Sequence, residues 1–190
     1  MGRRPQPHIR DELLERCTDF ALEAGLPTRL EPLVTSTGVS ARMLLYHFGT
    51  RDELFLAILR HARQRQLESF GDALRVRQDE PYTRTLARAW VTMTEGEGKP
   101  YLRMFGQLRF NAELSLWPDF QRSATLDWLE PLESGLRSIG RPQTATLALA
   151  VIRGLLMDID ATGDTIRSNQ AFAEFLALIA APESGRAEST

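Results

Sequence analysis

Hydrophobic residues recur at intervals of three and four positions along most of the chain, a spacing that places them on one face of an α-helix. The first such segment is followed by Gly25, a residue type that commonly ends helices. Its apolar positions are Ile9, Leu13, Leu14, Cys17, Phe20, Ala21 and Ala24. The pattern predicts a first helix over residues 9–24 with a single buried face.

A second, short helix is expected next. Thr28 and Glu31 have the spacing of a capping box, in which each side chain binds an exposed backbone N–H group at the start of a helix. We therefore expect this helix to begin near residue 29. Pro32 would then be its fourth residue, at the edge of the region where a missing N–H group is tolerated, and would distort the first turn.

Gly38 and Ser40 predict a sharp turn into a third helix. Glycine readily adopts the positive φ that ends many helices, and serine is a preferred N-cap residue. The third helix is expected over residues 41–48, with Gly49 ending it. Thr50 can then cap a fourth helix.

The fourth helix is expected to be the longest in the first part of the chain. Its first turn contains Asp52 and Glu53, whose negative charges suit the N-terminal end of the helix dipole. Apolar residues continue from Phe55 toward Leu74, with a weak point at Gly71.

Helical patterns fill the rest of the chain, and no stretch alternates convincingly like a β-strand. They cover roughly residues 83–95, 100–113, 118–138, 142–161 and 166–180. Pro131 lies inside one of them and predicts a kink or a split. The residues after Pro182 are small and polar and are expected to form a disordered tail. The sequence therefore predicts an all-α protein.

Composition excludes several classes of protein. With 190 residues, 43% of them hydrophobic, the chain can form a packed core, and its single cysteine, Cys17, cannot form an intrachain disulfide. The longest apolar run, residues 145–157, is interrupted by Arg153 and is too short for a membrane span, and the first residues lack the apolar core of a secretory signal. We expect a cytoplasmic protein with no membrane contact. Cys17 can be a core residue or a redox sensor, and its apolar surroundings favour the core.

Charge is unevenly distributed. Residues 1–65 contain ten arginines and eight acids, a net charge of +2, whereas residues 66–190 contain thirteen basic and seventeen acidic residues, a net charge of −4. Between Pro32 and Arg51 there are two arginines and no acid. A basic N-terminal part and an acidic C-terminal part are consistent with a small nucleic-acid-binding domain joined to a larger domain that does not bind nucleic acid.

The third predicted helix has one face suited to packing and another suited to binding. Leu44 and Phe48 lie four positions apart and can pack against the second helix. The residues left for the outer sides are Ala41, Arg42, Met43, Leu45 and Tyr46. A helix surface with an arginine, a tyrosine and no carboxylate can enter the major groove of DNA without electrostatic penalty. Arg42 can also be an ordinary solvated side chain.

The segment from Gly38 to Phe55 reads GVSARMLLYHFGTRDELF. It resembles the signature of the TetR (tetracycline-repressor-like) family, in which a Gly-Val-Ser turn leads into a recognition helix that ends in His-Phe. A fourth helix beginning Ser/Thr-Lys/Arg-Glu/Asp then follows. The match is ungapped over eighteen residues and extends loosely back to Ile9. Beyond residue 65 only the number and lengths of the helices are similar.

The resemblance implies a division into domains. Residues 1–51 would form an N-terminal arm and a three-helix helix-turn-helix DNA-binding domain. A long helix would join it to a C-terminal helical domain over residues 52–182, which would bind an effector and form a dimer. Residues 183–190 would be the disordered tail.

By position, the resemblance also assigns contacts with DNA. The candidates for base edges are Ala41, Arg42 and Met43, and the candidates for phosphates are Ser40, Tyr46, His47, Thr50 and Arg51. Arg42 could bridge O6 and N7 of a guanine, a contact worth about 1–3 kcal/mol against the wrong base. Arg51, beside a helix N-terminus, would bind phosphate regardless of sequence. His47 can instead be a helix-terminal residue hydrogen-bonded within its own domain.

This part of the chain departs from the family at four positions. Leu45 replaces a common tyrosine, which removes a phosphate donor and offers an apolar contact to a thymine methyl group. Val34 and Thr37 replace alanine, and Pro32 is unusual in the supporting helix. DNA binding is still expected, because the other phosphate contacts remain.

Two copies of such a DNA-binding domain in a symmetric dimer recognise a palindromic DNA site, so a dimer surface is required. The last two helices have apolar residues on most sides and must be buried on most sides. The interface is predicted from Leu147, Val151, Leu155 and Ile159 on one helix and Phe172, Phe175, Leu176 and Ile179 on the other. The alternative is that these residues form a wholly intramolecular core.

The middle of the chain is rich in aromatic residues and methionine. Most of these residues can be ordinary core, but the resemblance implies that a subset lines a cavity for an apolar or amphipathic effector. The candidates are Trp90, Met93, Met104, Phe105, Gln107, Arg109, Trp117 and Trp128. No cofactor or metal is expected, since the three histidines lack the i, i+4 spacing of a helical metal site.

The expected function is therefore that of a sequence-specific transcriptional regulator and not of an enzyme. It would be a homodimeric repressor, released from a palindromic double-stranded operator by a small molecule. Two alternatives remain: an all-helical ligand carrier or enzyme, and a TetR-like protein whose head no longer reads DNA. No catalytic group of residues stands at a recognisable spacing.

Overall fold

The computed structural model describes residues 7–109 and 118–181. Its helices, within these residues, are α1 (Pro7–Ala24), α2 (Glu31–Thr37), α3 (Ala41–Phe48), α4 (Arg51–Gly71), α5 (Tyr82–Glu95), α6 (Lys99–Arg109), α7 (Pro118–Arg137), α8 (Ala145–Thr162) and α9 (Thr165–Ala180). Short 3-10 turns at Asp72–Leu74 and Pro142–Thr144 follow α4 and precede α8. No strand occurs in the described residues. The prediction of an all-α protein is confirmed for this part of the chain.

The chain forms two compact units. The first takes in the described parts of residues 1–69 and 97–124, and the second takes in residues 70–96 together with the described residues from 125 onward. The first unit thus contains α1 to α3, most of α4, and α6. The second contains α5, most of α7, α8 and α9. The boundaries predicted at residues 51 and 182 concern function and remain predictions.

In the first unit, α1 packs against α2, α3 and α6. The predicted apolar face is buried in part: Leu13, Cys17 and Ala21 are buried, and Cys17 lies fully inside this core. Three further positions of the predicted face are half-buried and Ala24 is exposed. Burial raises the pKa of the Cys17 thiol to about 11, so that the unreactive thiol form dominates near neutral pH. Arg16 on the polar side donates a hydrogen bond to the carbonyl oxygen of Thr37 at 3.0 Å, which fixes the end of α2 against α1.

The start of α2 differs from the prediction. The helix begins at Glu31, and the residue before it, Leu30, has helical backbone angles and provides no side-chain cap. The Thr28–Glu31 capping box was therefore a wrong prediction. Pro32 is consequently the second residue of the helix. The N–H groups of the first turn have no partner within a helix, so the proline ring is accommodated there without loss of a hydrogen bond.

The second unit has its own core, in which α9 packs against α5 and α8. The rings of Trp90 and Phe172 stack with their centroids 4.5 Å apart, and the indole N–H of Trp90 donates to Asn169 Oδ1 at 2.7 Å. The helix α7 continues through Pro131, so of the two predicted outcomes, a kink or a split, the split does not occur. Among the described residues, no helix is both long and apolar enough to cross a membrane.

Candidate nucleic-acid interface

The turn between α2 and α3 is set by two residues. Gly38 has φ +71°, and its N–H donates to the carbonyl oxygen of Val34, which ends α2. Ser40 has an extended backbone, and its hydroxyl oxygen accepts a hydrogen bond from the backbone N–H of Met43 at 3.2 Å, which starts α3. Both predicted roles are confirmed, and the bounds predicted for α3 agree with the structure.

The inner face of α3 is anchored in the first unit. Leu44 and Phe48 are buried, as is Leu33 on the neighbouring α2. The guanidinium of Arg10, on α1, lies 4.8 Å from the centre of the Phe48 ring, within the range of a cation–π interaction. These contacts fix which residues of α3 can point outward.

The outer face of α3 carries the predicted base-reading residues. Arg42 is exposed, Met43 is 44% exposed and Tyr46 is 51% exposed, whereas Ala41 and Leu45 are half-buried. Within the described residues, the Arg42 side chain makes no hydrogen bond or ion pair. Since no acid occurs between Pro32 and Arg51, this face presents one cation and apolar surface without a competing carboxylate on α3 itself.

His47 occupies the edge of this face. Its imidazole is half-buried and meets the Tyr46 ring edge-on, with the centroids 5.2 Å apart. The Nδ1 atom is buried and has no hydrogen-bond partner among the described residues. This placement gives no support to an internal hydrogen bond at Nδ1, and contact with phosphate remains a prediction.

The start of α4 has a different character. Thr50 and Glu53 form a reciprocal capping box: the Thr50 N–H donates to Glu53 Oε2 at 2.7 Å, and the Glu53 N–H donates to Thr50 Oγ1 at 3.2 Å. The Thr50 hydroxyl also donates to Glu53 Oε2 at 2.9 Å. The hydrogen bonds from the Thr50 backbone and side chain lower the pKa of Glu53 below its ordinary value. Thr50, a predicted phosphate contact, therefore already has an anion as its partner.

Arg51, the other phosphate candidate at the start of α4, also already has partners within the protein. Its Nε and one terminal nitrogen each lie 2.9 Å from Asp52 Oδ1, and its second terminal nitrogen donates to the carbonyl oxygen of Thr28 at 3.2 Å. The guanidinium also lies 5.5 Å from the centre of the Phe55 ring. Sequence reasoning identified Arg51 and Thr50 but missed that neighbouring carboxylates occupy both. The Thr50–Glu53 spacing was a visible signal for one of these pairs.

The predicted dimer residues fall into two groups. On α8, Leu147 is 54% exposed, and Val151, Leu155 and Ile159 are half-buried. On α9, Phe172, Phe175 and Ile179 are buried in the single chain and Leu176 is half-buried. These three residues are buried within the single chain, which agrees with the alternative of an intramolecular core, and a dimer contact through α9 remains a prediction. The exposed apolar side chains of α9 are instead Ile166 and Leu178, at 81% and 73%.

The predicted effector residues are spread over both units. In the first unit Met104 is fully buried, and the Phe105 ring stacks near Phe120 with centroids 6.4 Å apart. In the second unit Trp90 is a buried core residue, and Met93 and Trp128 are half-buried. Trp117 and the side chains of Gln107 and Arg109 lie outside the described residues.

A groove of about 360 Å³ opens elsewhere in the second unit. It lies where the start of α5, the turn after α7 and the end of α9 meet. Its lining consists of Pro81, Thr83, Ile139, Gly140, Arg141, Ile179, Ala180 and Ala181. None of the predicted effector residues lines it, so the effector cavity remains a prediction.

Comparison with known proteins yields no relative: no family model, no curated protein and no solved structure matches the chain significantly.

Proposed function

We propose that the protein is a sequence-specific DNA-binding transcriptional regulator that reads the major groove with α3. The observation that carries the proposal is the outer face of this helix, where Arg42, Met43 and Tyr46 are exposed and the Arg42 guanidinium has no partner among the described residues. On a solvent-exposed helix, basic side chains are normally paired with or balanced by nearby carboxylates. An unopposed guanidinium beside apolar surface suits the base edges of a duplex.

The chemistry of each side chain suggests its role. The Arg42 guanidinium can donate two parallel hydrogen bonds to O6 and N7 of guanine, the commonest specific contact in the major groove. The thioether side chain of Met43 can pack against a thymine methyl group. The Tyr46 hydroxyl can donate to a phosphate, which positions the helix without reading sequence.

The short length of α3 also suits this role. A helix with its side chains is about 10–12 Å across, which fits the roughly 12 Å width of the B-DNA major groove, and the eight residues of α3 would extend about 12 Å within it. One such helix contacts only a few base pairs, so a single copy would bind DNA weakly. We therefore infer a homodimer that binds a palindrome, with exposed apolar side chains such as Leu147 and Leu178 available for the contact.

Regulation by a small molecule is the final part of the proposal. A repressor is released when an effector binds the DNA-incompetent state more tightly than the DNA-competent one, and tenfold release needs about 1.4 kcal/mol of difference. In the second unit, Met93 and Trp128 are half-buried and could face an apolar effector.

The test is DNA binding by the full chain and two arginine variants. A site would first be selected from a pool of random-sequence duplexes, and binding to this site and to scrambled duplex would be followed by fluorescence anisotropy. Arg42→Ala should weaken binding to the selected site about 5- to 150-fold and reduce its preference over scrambled duplex. Arg60→Ala, which removes an exposed arginine of α4, is the matched control and should leave the preference intact.

Equal binding of the wild-type chain to selected and scrambled duplex, or no binding to either, would contradict the proposal. If the Arg42→Ala variant keeps its preference for the selected site over scrambled duplex, another surface of the protein recognises the DNA sequence.

A further inference from the structure

The contacts of Arg51 set it apart from Arg42. Two of its nitrogens converge on one carboxylate oxygen of Asp52, and the third binds the carbonyl oxygen of Thr28. Each guanidinium nitrogen thus has a partner within the first unit. The side chains of Arg51 and Asp52 are 39% and 50% exposed, so solvent and ions reach the pair.

We propose that Asp52 competes with DNA phosphate for Arg51. Because Asp52 pairs with Arg51, it lowers the part of the DNA affinity that does not depend on sequence. This inference rests on the proposed function, since it concerns the same interface. The Asp52 carboxylate would then have a role in DNA binding in addition to its favourable interaction with the dipole at the start of α4.

Chemistry makes the competition direct. Carboxylates and phosphates bind a guanidinium through the same fork of N–H groups, so Arg51 cannot present that edge to both at once. A phosphate approaching the start of α4 must displace Asp52 or accept the remaining donors. The like charges of carboxylate and phosphate add repulsion at short range.

The arrangement is not a default of helix geometry. Neighbouring residues in a helix point in different directions, and ion pairs usually form between positions three or four apart. Here the Thr28 carbonyl oxygen and the Phe55 ring contact the guanidinium as well, which helps hold it beside Asp52. The pairing is therefore a feature of the packed first unit.

The expected magnitude is small, because the pair is partly exposed. Exposed ion pairs contribute up to about 1 kcal/mol, which corresponds to at most about a fivefold change in affinity. The change should be the same for every DNA sequence, since phosphate contacts carry no sequence information.

The experiment compares full-length wild type with Asp52→Asn on two duplexes, the selected site and a scrambled one, over a range of salt concentrations. Asp52→Asn should tighten binding to both about two- to fivefold. The dependence of log K on log salt should steepen by up to about one unit, because one more phosphate is neutralised. Thermal unfolding of each variant checks that the fold is retained.

Two controls separate the pairing from a general charge effect. Asp11→Asn makes the same change of charge on α1, at a carboxylate 3.9 Å from Arg10, and should have a smaller effect on binding. In an Arg51→Ala background, Asp52→Asn should tighten binding much less, since only the direct repulsion between carboxylate and phosphate is then relieved, and it should no longer steepen the salt dependence.

The outcomes distinguish the two proposals. If wild type binds DNA but Asp52→Asn behaves like Asp11→Asn, or keeps its full effect without Arg51, the role of Asp52 is overturned and the proposed function stands. If neither wild type nor Asp52→Asn binds either duplex, both proposals are overturned.

Discussion

The starts of α3 and α4, two neighbouring helices of the first unit, each carry a hydroxyl cap and an arginine, but the two arginines differ in their partners. At the start of α3, Ser40 caps the helix and the exposed Arg42 has no ionic partner among the described residues. At the start of α4, Thr50 caps the helix with Glu53, and Arg51 is paired with Asp52. A partially exposed arginine is therefore not by itself a binding group. What its guanidinium already contacts decides how readily it can bind something else.

The comparison also separates two kinds of affinity. A base contact from Arg42 would discriminate between sequences, whereas a phosphate contact from Arg51 would not. Among the described residues, Asp52 and Glu53 pair with the two phosphate candidates at the start of α4, whereas Arg42 pairs with no carboxylate. Under the proposed function, this arrangement would weaken sequence-independent binding and leave the outer face of α3 available to read sequence.

The largest expected effect comes from the inner face of α3. Leu44 is fully buried and Met43, its neighbour, is 44% exposed. Leu44→Ala should lower the free energy of unfolding by about 2–5 kcal/mol because it leaves a cavity. Met43→Ala should change it by no more than about 0.5 kcal/mol. Urea unfolding measures both, and similar losses for the two variants would contradict the assignment of inner and outer faces.

The next effect concerns Gly49, which lies between the end of α3 and the start of α4. Its φ is +90°, and a Cβ atom there would lie 2.3 Å from Glu53 Oε2. Gly49→Ala should therefore destabilise the protein by about 1–3 kcal/mol through backbone strain, and should also disturb the capping box of α4. Urea unfolding measures the loss.

Gly154→Ala is the matched control for this variant. Gly154 lies inside α8, and a Cβ atom there would contact nothing within 4 Å. Alanine is the better helix former by about 0.5–1 kcal/mol, so this variant should be stabilised. If both glycine variants lose stability equally, the special conformation at Gly49 is not what matters.

The smallest effect is a dependence on pH that only the start of α4 should show. The pKa of Glu53 is lower in the folded chain than its ordinary value of 4.5, because Thr50 donates to the ionised form. Its stabilisation is therefore present above about pH 4.5 and is lost as the pH falls through the lowered folded pKa. Ser40 has no ionisable group and should cap α3 equally at every pH.

The measurement is the difference in unfolding free energy between wild type and Glu53→Gln across this pH range. The variant should be less stable near neutral pH, and the difference should shrink as the pH falls. Ser40→Ala, which removes a cap worth about 1 kcal/mol, should show a constant difference. A Glu53→Gln difference that does not change with pH would contradict the role assigned to the carboxylate.

The bounds of α3 could be read from the sequence because the signals that set them are local. Ser40 and Gly49 stand directly beside the helix they delimit, and each acts through its own backbone or a residue three positions away. The start of α2 could not be read in this way. The Thr28–Glu31 spacing allows a capping box, but the chain places Leu30 in a helical conformation and leaves the box unformed.

The last helix shows a second limit of sequence reasoning. Periodicity correctly identified Phe172, Phe175 and Ile179 as one apolar face of α9, but it cannot say what covers such a face. In the structure the second unit itself covers them, and Leu178 is left exposed. A face that must be buried can be buried by the same chain or by a partner, and the two cases have the same sequence pattern.

The sequence by itself determined the all-helical class, most of the helix positions, and the acid-free outer face of α3. These depend on spacing, on glycine and on capping residues, all of which act over a few positions. The tertiary structure decided which side chains have partners. Arg51 meets the carbonyl oxygen of Thr28, twenty-three positions away, and Arg42 meets no partner among the described residues. Such contacts depend on how the chain folds back on itself, which local patterns do not encode.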